Sequence, residues 1–175
     1  EMDLLEVMRN RRSVRNYTEE EIPAEKLDMI LKAGLLAESG KNLKPWEFIV
    51  VRDGEVLAKL SKSRAAGGAM LEHAKCAIVV VGDTEKTDVW AEDCSVAMAH
   101  MHLMADCLEV GSCWVQGRLR EASDGRTTEE YVRELLGIPE KYALEAILSL
   151  GIAKEHPKAH SLEELPTEKI HMEKF

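Results

Sequence analysis

Arg11-Arg12-Ser13-Val14-Arg15 places three guanidinium groups and a hydroxyl within five positions. A guanidinium offers a planar fork of donors that matches phosphate oxygens, and a serine hydroxyl can fill a further acceptor without adding charge. Most charge runs are solvated turns, so this residue set is a phosphate-binding inventory only if other features agree. A second segment agrees: a small polar loop, Glu38-Ser39-Gly40-Lys41-Asn42-Leu43-Lys44, runs through Pro45-Trp46 into the strand-like Glu47-Phe48-Ile49-Val50-Val51.

The balance of the chain narrows the ligand. With 23 Lys and Arg against 32 Asp and Glu, the net charge is -9, which gives little electrostatic support to nucleic-acid or anionic-membrane binding. The arginine cluster is a local exception in an acidic protein and suits a small anion. The histidines do not converge on a metal: His100 and His102 point to different sides of one helix, and His73 with Cys76 is an isolated pair. No Ser-His-Asp arrangement can be argued. Cys76, Cys94, Cys107 and Cys113 lack the paired spacing of a zinc site and are expected as reduced thiols in a cytoplasmic protein. The apolar run from Cys76 to Gly82 is too short to span a bilayer, and Glu1-Met2-Asp3-Leu4-Leu5-Glu6 lacks the basic start of a signal peptide, so no membrane association is expected.

At 175 residues the chain fits one domain, residues 1–175, with no linker or repeat. Leu4, Leu5, Val7 and Met8 recur at helical spacing and should deliver the arginines at a helix C-terminus. Pro23 opens a second helix carrying Leu27, Ile30, Leu31, Gly34 and Leu35, which should stop near Ala37. Trp46 to Val51 reads as a strand, and Asp53-Gly54 as a turn before a short amphipathic stretch. Cys76 to Gly82 is a continuous β-branched run, the pattern of a central strand covered on both faces. The longest helix spans Trp90 to Val110 and is apolar over much of its circumference, so it is buried or shared with a partner. Ser112 to Leu119 and Ala143 to Ile152 complete the strands, and Thr127 with Glu130 has capping-box spacing before a further helix. Alternating strands and helices would ordinarily indicate a doubly wound parallel sheet. No G-x-G-x-x-G turn or P-loop is present, however, which disfavours a dinucleotide or nucleoside-triphosphate site of those kinds.

In order, these pieces resemble the FMN-dependent nitroreductase family: the Arg11 to Arg15 cluster, the Ser39 to Trp46 loop, Trp90-Ala91-Glu92-Asp93 opening the long helix, Glu109 to Gly117 entering a strand, and Leu136-Gly137-Ile138-Pro139 before the closing strand. The resemblance implies an α+β fold on a mostly antiparallel sheet, in an intertwined homodimer with FMN at the subunit interface. It places Arg11, Arg12 and Ser13 on the ribityl phosphate and Arg15 near the flavin N1 and C2 carbonyl. It assigns Ser39, Gly40 and Asn42 to the flavin of the other subunit, and Trp114, Val115, Gln116 and Gly117 to one face of the ring, with the Gln116 backbone N–H directed at N5. Trp114 is equally well read as ordinary core. A C-terminal arginine that usually reaches the phosphate has only Lys158 and His160 as nearby substitutes. The family's Asn and Lys beside the ring find no counterpart in Gly67, Gly68, Ala69 and Met70, and Glu38 and Lys44 stand where the family commonly has Pro and Gln.

The expected function is an oxidoreductase that passes hydride from NADH or NADPH through the flavin to an electron-poor acceptor such as a nitroaromatic or quinone. Catalysis resides in the cofactor, so no protein acid or base motif is required. A non-catalytic flavin sensor or carrier is the alternative. The loops over the ring should be Ser63 to Met70 and Ala122 to Arg126, and the tail, residues 157–175, has apolar anchors but no core, so it should wrap the partner.

Overall fold

The computed structural model describes residues 3–175. Among the described residues, five α-helices and four strands follow one another: α1 (Leu4–Asn10), α2 (Ala24–Leu35), β1 (Trp46–Val51), α3 (Gly54–Ser61), β2 (Cys76–Asp83), α4 (Trp90–Cys107), β3 (Gly111–Gln116), α5 (Thr128–Leu136) and β4 (Tyr142–Gly151). Their starts follow local chemistry. The Asp3 and Asp53 carboxylates accept backbone N–H groups at the first turns of α1 and α3, and Thr127 with Glu130 forms the expected capping box of α5.

The strands form one antiparallel sheet in the order β1-β2-β4-β3. The alternation of helices and strands therefore does not produce a parallel sheet. β2 is buried along its whole length because both of its faces are covered, which explains its unbroken apolar run. On one face lies a core with Leu57, Leu60, Val79, Val115, Val132 and Ile147. On the other, α2 and α4 press Ile30, Met98 and Met101 against Ile78, Val80 and Leu148.

Two boundaries differ from the sequence expectation. α4 ends at Cys107 rather than Val110, because the chain turns back: Val110 N–H bonds the Ala105 carbonyl and Glu109 takes a positive φ of 61°. β3 ends at Gln116 rather than Leu119, since Gly117 and Arg118 both donate backbone N–H groups to the Glu145 carbonyl, at 3.1 and 3.0 Å. That double acceptance coincides with an irregularity in β4, whose pairing with β2 passes from Ala146 to Leu144 and leaves Glu145 unpaired.

The segment after α1 is fastened across the ends of β3 and β4. Val14 N–H bonds Ser112 O at 2.9 Å, Thr18 N–H bonds Ile152 O at 2.7 Å, and Tyr17 donates its hydroxyl to Val14 O at 2.8 Å. The close approach requires glycine beneath it: a Cβ on Gly151 would lie 2.5 Å from Tyr17 Cγ, and one on Gly111 would lie 2.9 Å from Val14 Cγ1. Among the described residues, no helix is long and apolar enough to cross a membrane.

Candidate functional site

The chain brings Arg11, Arg12, Ser13 and Arg15 to the start of β3. Arg11 Nη1 lies 3.2 Å from His102 Nε2, and His102 Nδ1 lies 2.5 Å from Ser112 Oγ. Arg12 donates to the Lys158 carbonyl, while Arg9 Nη1 donates to the His160 carbonyl at 3.2 Å and His160 N–H returns a bond to Arg9 O at 3.0 Å. Lys158 and His160 thus reach the cluster through their main chain, across about 150 residues of sequence. Arg15 is exposed beside an open cavity of about 560 Å³ lined by Ser13, Asn16, Lys154, Glu155 and Pro157. Burial pushes the neighbouring Cys113 thiol up, opposed by the Arg15 charge and the Ser13 hydroxyl.

Charge pairing separates these arginines from four others, though Arg64, Arg118 and Arg120 share their lack of a carboxylate partner among the described residues. Arg9 pairs with Glu6 at 2.9 Å, Arg126 with Asp124 at 2.7 Å and Arg133 with Glu129 at 3.2 Å. Among the described residues, no carboxylate pairs with Arg11, Arg12 or Arg15. Three neighbouring cations left without carboxylates have the chemistry to receive a small anion.

β3 leads from this cluster to a second group of polar contacts. Ser112 to Gln116 is four strand steps, roughly 13 Å at the usual rise. At the far end the Trp114 indole N–H donates to Gln116 Oε1 at 2.9 Å, and Gln116 Nε2 donates to Arg118 O at 3.1 Å. Trp114 packs toward α4 and Val115 is buried in the opposite core, so their side chains lie on opposite faces of the sheet. Gly117 is buried over Leu144, where a Cβ would lie 2.6 Å from Leu144 Cδ2. What this stretch can present to a ligand is chiefly backbone.

Arg64 is a candidate residue that sequence reasoning missed. Its guanidinium donates to Gln116 O at 2.9 Å, which puts a cation at the end of β3 where Gly67 to Met70 supply none. The loops Ser63 to Met70 and Ala122 to Arg126 are tied together there by Ala65 N–H to Glu121 O at 2.8 Å and Ser123 N–H to Lys62 O at 3.1 Å. Beside the first turns of α4, burial raises the Glu145 carboxyl above its ordinary value, opposed by the Arg118 charge.

Ser39, Gly40 and Asn42 lie elsewhere in the chain. Gly40 N–H bonds Asp93 Oδ1 at 3.1 Å, which anchors the loop to the first turn of α4, and Ser39 Oγ accepts from Lys44 N–H at 2.9 Å. The arginine cluster sits at the other end of the same helix, where Asn10 Nδ2 donates to Asp106 Oδ2 at 2.8 Å. From Asp93 to Asp106 the helix rises about 20 Å. One chain does not unite the two groups.

Comparison with known proteins decides the family. The nitroreductase family model matches residues 8–67 and 62–152, most of the chain. A protein of Archaeoglobus fulgidus, provisionally named an NADH dehydrogenase/NAD(P)H nitroreductase, is 38% identical over 178 residues covering 99% of both chains. The chain belongs to the nitroreductase family. An FMN-dependent nitroreductase of Clostridium difficile superposes with a TM-score of 0.95 at 45% identity, over 98% of this chain and all (100%) of that one. A provisionally named nitroreductase of Desulfovibrio desulfuricans, solved in complex with FMN, superposes with a TM-score of 0.80 at 27% identity, covering 100% and 99% of the two chains. In nitroreductase terms, the antiparallel sheet with its flanking helices is this family's fold.

Proposed function

We propose that this nitroreductase-family chain binds FMN and acts as an NAD(P)H-dependent oxidoreductase on an electron-poor acceptor. The observation that carries the reading is β3 itself, with unpaired guanidiniums at one end and the Gln116 backbone beside Arg64 at the other. An elongated ligand with an anionic terminus and a planar, hydrogen-bonding head fits that arrangement, and the relatives' names support FMN as its identity. Arg11, Arg12 and Ser13 would hold the phosphate, helped by Lys158 and His160, with Glu155 as an opposing charge at the rim. Arg15 and Arg64 would supply cations toward the ring, and Val115 to Gly117 a backbone edge. Bound FMN supplies hydride transfer at N5, accepting from NADH or NADPH and returning to the acceptor.

The residues' own work is binding, orientation and electrostatics. A fixed cation near the site favours the more negative, reduced form of a bound redox group. Gly117 contributes no side chain of its own to stand between a ligand and the backbone that follows β3. Donor and acceptor sharing one open face would alternate, giving ping-pong kinetics.

The same reading assigns a homodimer. Leu4, Met8, Leu36, Val96, Leu103 and Met104 from α1, α4 and the end of α2 line an apolar groove of about 620 Å³, and Leu36 is 80% exposed. Exposed apolar side chains gathered from three helices in one groove suit an interaction face. A partner seated there would bring its own Ser39 loop, with Gly40 and Asn42, to this chain's arginine cluster, and the tail across its surface. Anaerobic addition of NADH or NADPH to the flavin-loaded protein tests the activity: the yellow absorbance should bleach and return with a quinone or nitroaromatic. A flavin that stays oxidised would instead identify a sensor or carrier.

A further inference from the structure

We propose that His102 is a positioning residue that aims Arg11 at the ligand phosphate, with Ser112 holding the imidazole in the required tautomer. The inference rests on the flavin-phosphate reading above and adds a residue to it. A guanidinium has donors only, so at 3.2 Å from Arg11 Nη1 the His102 Nε2 must accept. Nε2 is then unprotonated, and the remaining proton sits on Nδ1, which donates to Ser112 Oγ at 2.5 Å. His102 is 7% exposed and Ser112 2%, so neither contact competes freely with water. Burial first, and the Arg11 charge second, push the imidazole down to about 4, against a smaller opposing effect of Asp106. The ring is neutral at pH 7.

Neutrality is the useful property. A carboxylate in this place would orient Arg11 but also cancel its charge, as Glu6 does for Arg9 at 2.9 Å. A neutral acceptor fixes the guanidinium and leaves its whole charge for an anion. The carboxylate that acts on this ring, Asp106 one helical turn further along α4, is occupied on both oxygens: Asn10 Nδ2 donates to Oδ2 at 2.8 Å and His156 Nε2 meets Oδ1 at 2.6 Å. Holding a long side chain in its binding rotamer removes ordering entropy that association would otherwise cost.

The test compares FMN with riboflavin, which lacks the phosphate, by fluorescence titration of the flavin-free full chain. His102→Leu should weaken FMN about tenfold, the scale of one hydrogen bond to a charged group, and leave riboflavin unchanged. His102→Gln keeps an acceptor near Nε2 and should recover most of the loss. Adding His102→Leu to Arg11→Ala should cost nothing further. Should the leucine variant not fold, Ser112→Ala carries the test, with a severalfold loss confined to FMN. FMN binding at the wild-type level, equal losses for both flavins, or full additivity with Arg11→Ala would overturn the assignment of His102. A wild-type chain that does not distinguish FMN from riboflavin would instead overturn the phosphate reading beneath it.

Discussion

The two ends of α4 solve opposite problems. At the C-terminal end the chain satisfies itself: His102 uses both ring nitrogens, Asp106 both oxygens, and Arg12 reaches the Lys158 carbonyl. At the N-terminal end, buried Asp93 Oδ2, Glu145 Oε2 and Trp46 Nε1 have no hydrogen-bond partner among the described residues. The adjoining loop holds Lys41, Asn42 and Lys44 at φ of 54°, 57° and 49°, a conformation that costs energy in any residue but glycine. At the first end, the side chains around the cations are held by groups of their own chain. The second has polar groups and a strained loop that its own chain leaves uncompensated, which fits a loop presented to a partner. The lesson is that hydrogen-bond satisfaction, more than cavity size, distinguishes a finished binding surface from half of one.

The strongest way to break this contrast is to remove the strap that completes the C-terminal end. Deleting Lys158 to Phe175 takes away the acceptor of Arg12 and the main-chain bonds to Arg9. The truncated chain should lose bound FMN on dialysis, and the dimer should dissociate in step by sedimentation. A truncated chain that keeps stoichiometric flavin would show that the cluster does not need the tail.

A smaller effect separates paired from unpaired arginines. Arg11→Ala should weaken FMN by roughly tenfold to a hundredfold, from about 1.5–3 kcal/mol per charge-assisted bond. Arg9→Ala, whose charge is already met by Glu6, should change it less than about threefold by the same measure. Equal losses in titration would mean that carboxylate pairing does not decide which arginine binds.

The smallest effect is on stability against pH, where the two histidines of this end have opposite signs. His102 is depressed to about 4 from an ordinary 6.5, so the unfolded chain binds its proton more readily between those values. The stability it contributes is present above about pH 6.5 and is lost as pH falls toward 4, by up to about 3 kcal/mol. His156 is raised above 6.5, chiefly by its hydrogen bond to Asp106. Its contribution is present below 6.5 and is lost as pH rises through the raised value. Urea midpoints measured across this range should show the acid-side loss flattened in His102→Gln and the alkaline-side loss flattened in Asp106→Asn. Unchanged profiles in both would remove the titrations from this network.

Much of the frame was legible before any coordinates. β1 spans Trp46 to Val51 as its composition predicts, and β2 and β4 lie within a residue of expectation, because a β-branched run covered on both faces has no competing period. The capping box at Thr127 is purely local and equally readable. Sheet direction is not local: the alternation of elements pointed to a parallel sheet, and only the family resemblance implied the antiparallel one. Within the site, the arginines were readable from type and spacing. Arg64 was not, since it sits in a small polar loop without periodicity and meets Gln116 52 residues away. His102 was read as an ordinary helix residue because its meaning lies in two partners, one 91 residues before it and one 10 after. Tertiary hydrogen bonds leave no pattern in a single sequence.

The central claim is that the arginine cluster of one chain and the Ser39 loop of another build one flavin site, and mixed dimers test it most directly. Arg11→Ala chains and Gly40→Trp chains should each bind FMN poorly alone; Gly40 is exposed, and a Cβ there meets Val89 only at 3.7 Å, so the bulky variant should fold. Combined after dissociation, about half of the re-formed dimers should be mixed and each of these should bind one FMN, roughly one per four chains overall, because one of its two sites then carries both defects and the other neither. A mixture that binds no more flavin than its components would place both groups in the same chain's site and contradict the claim.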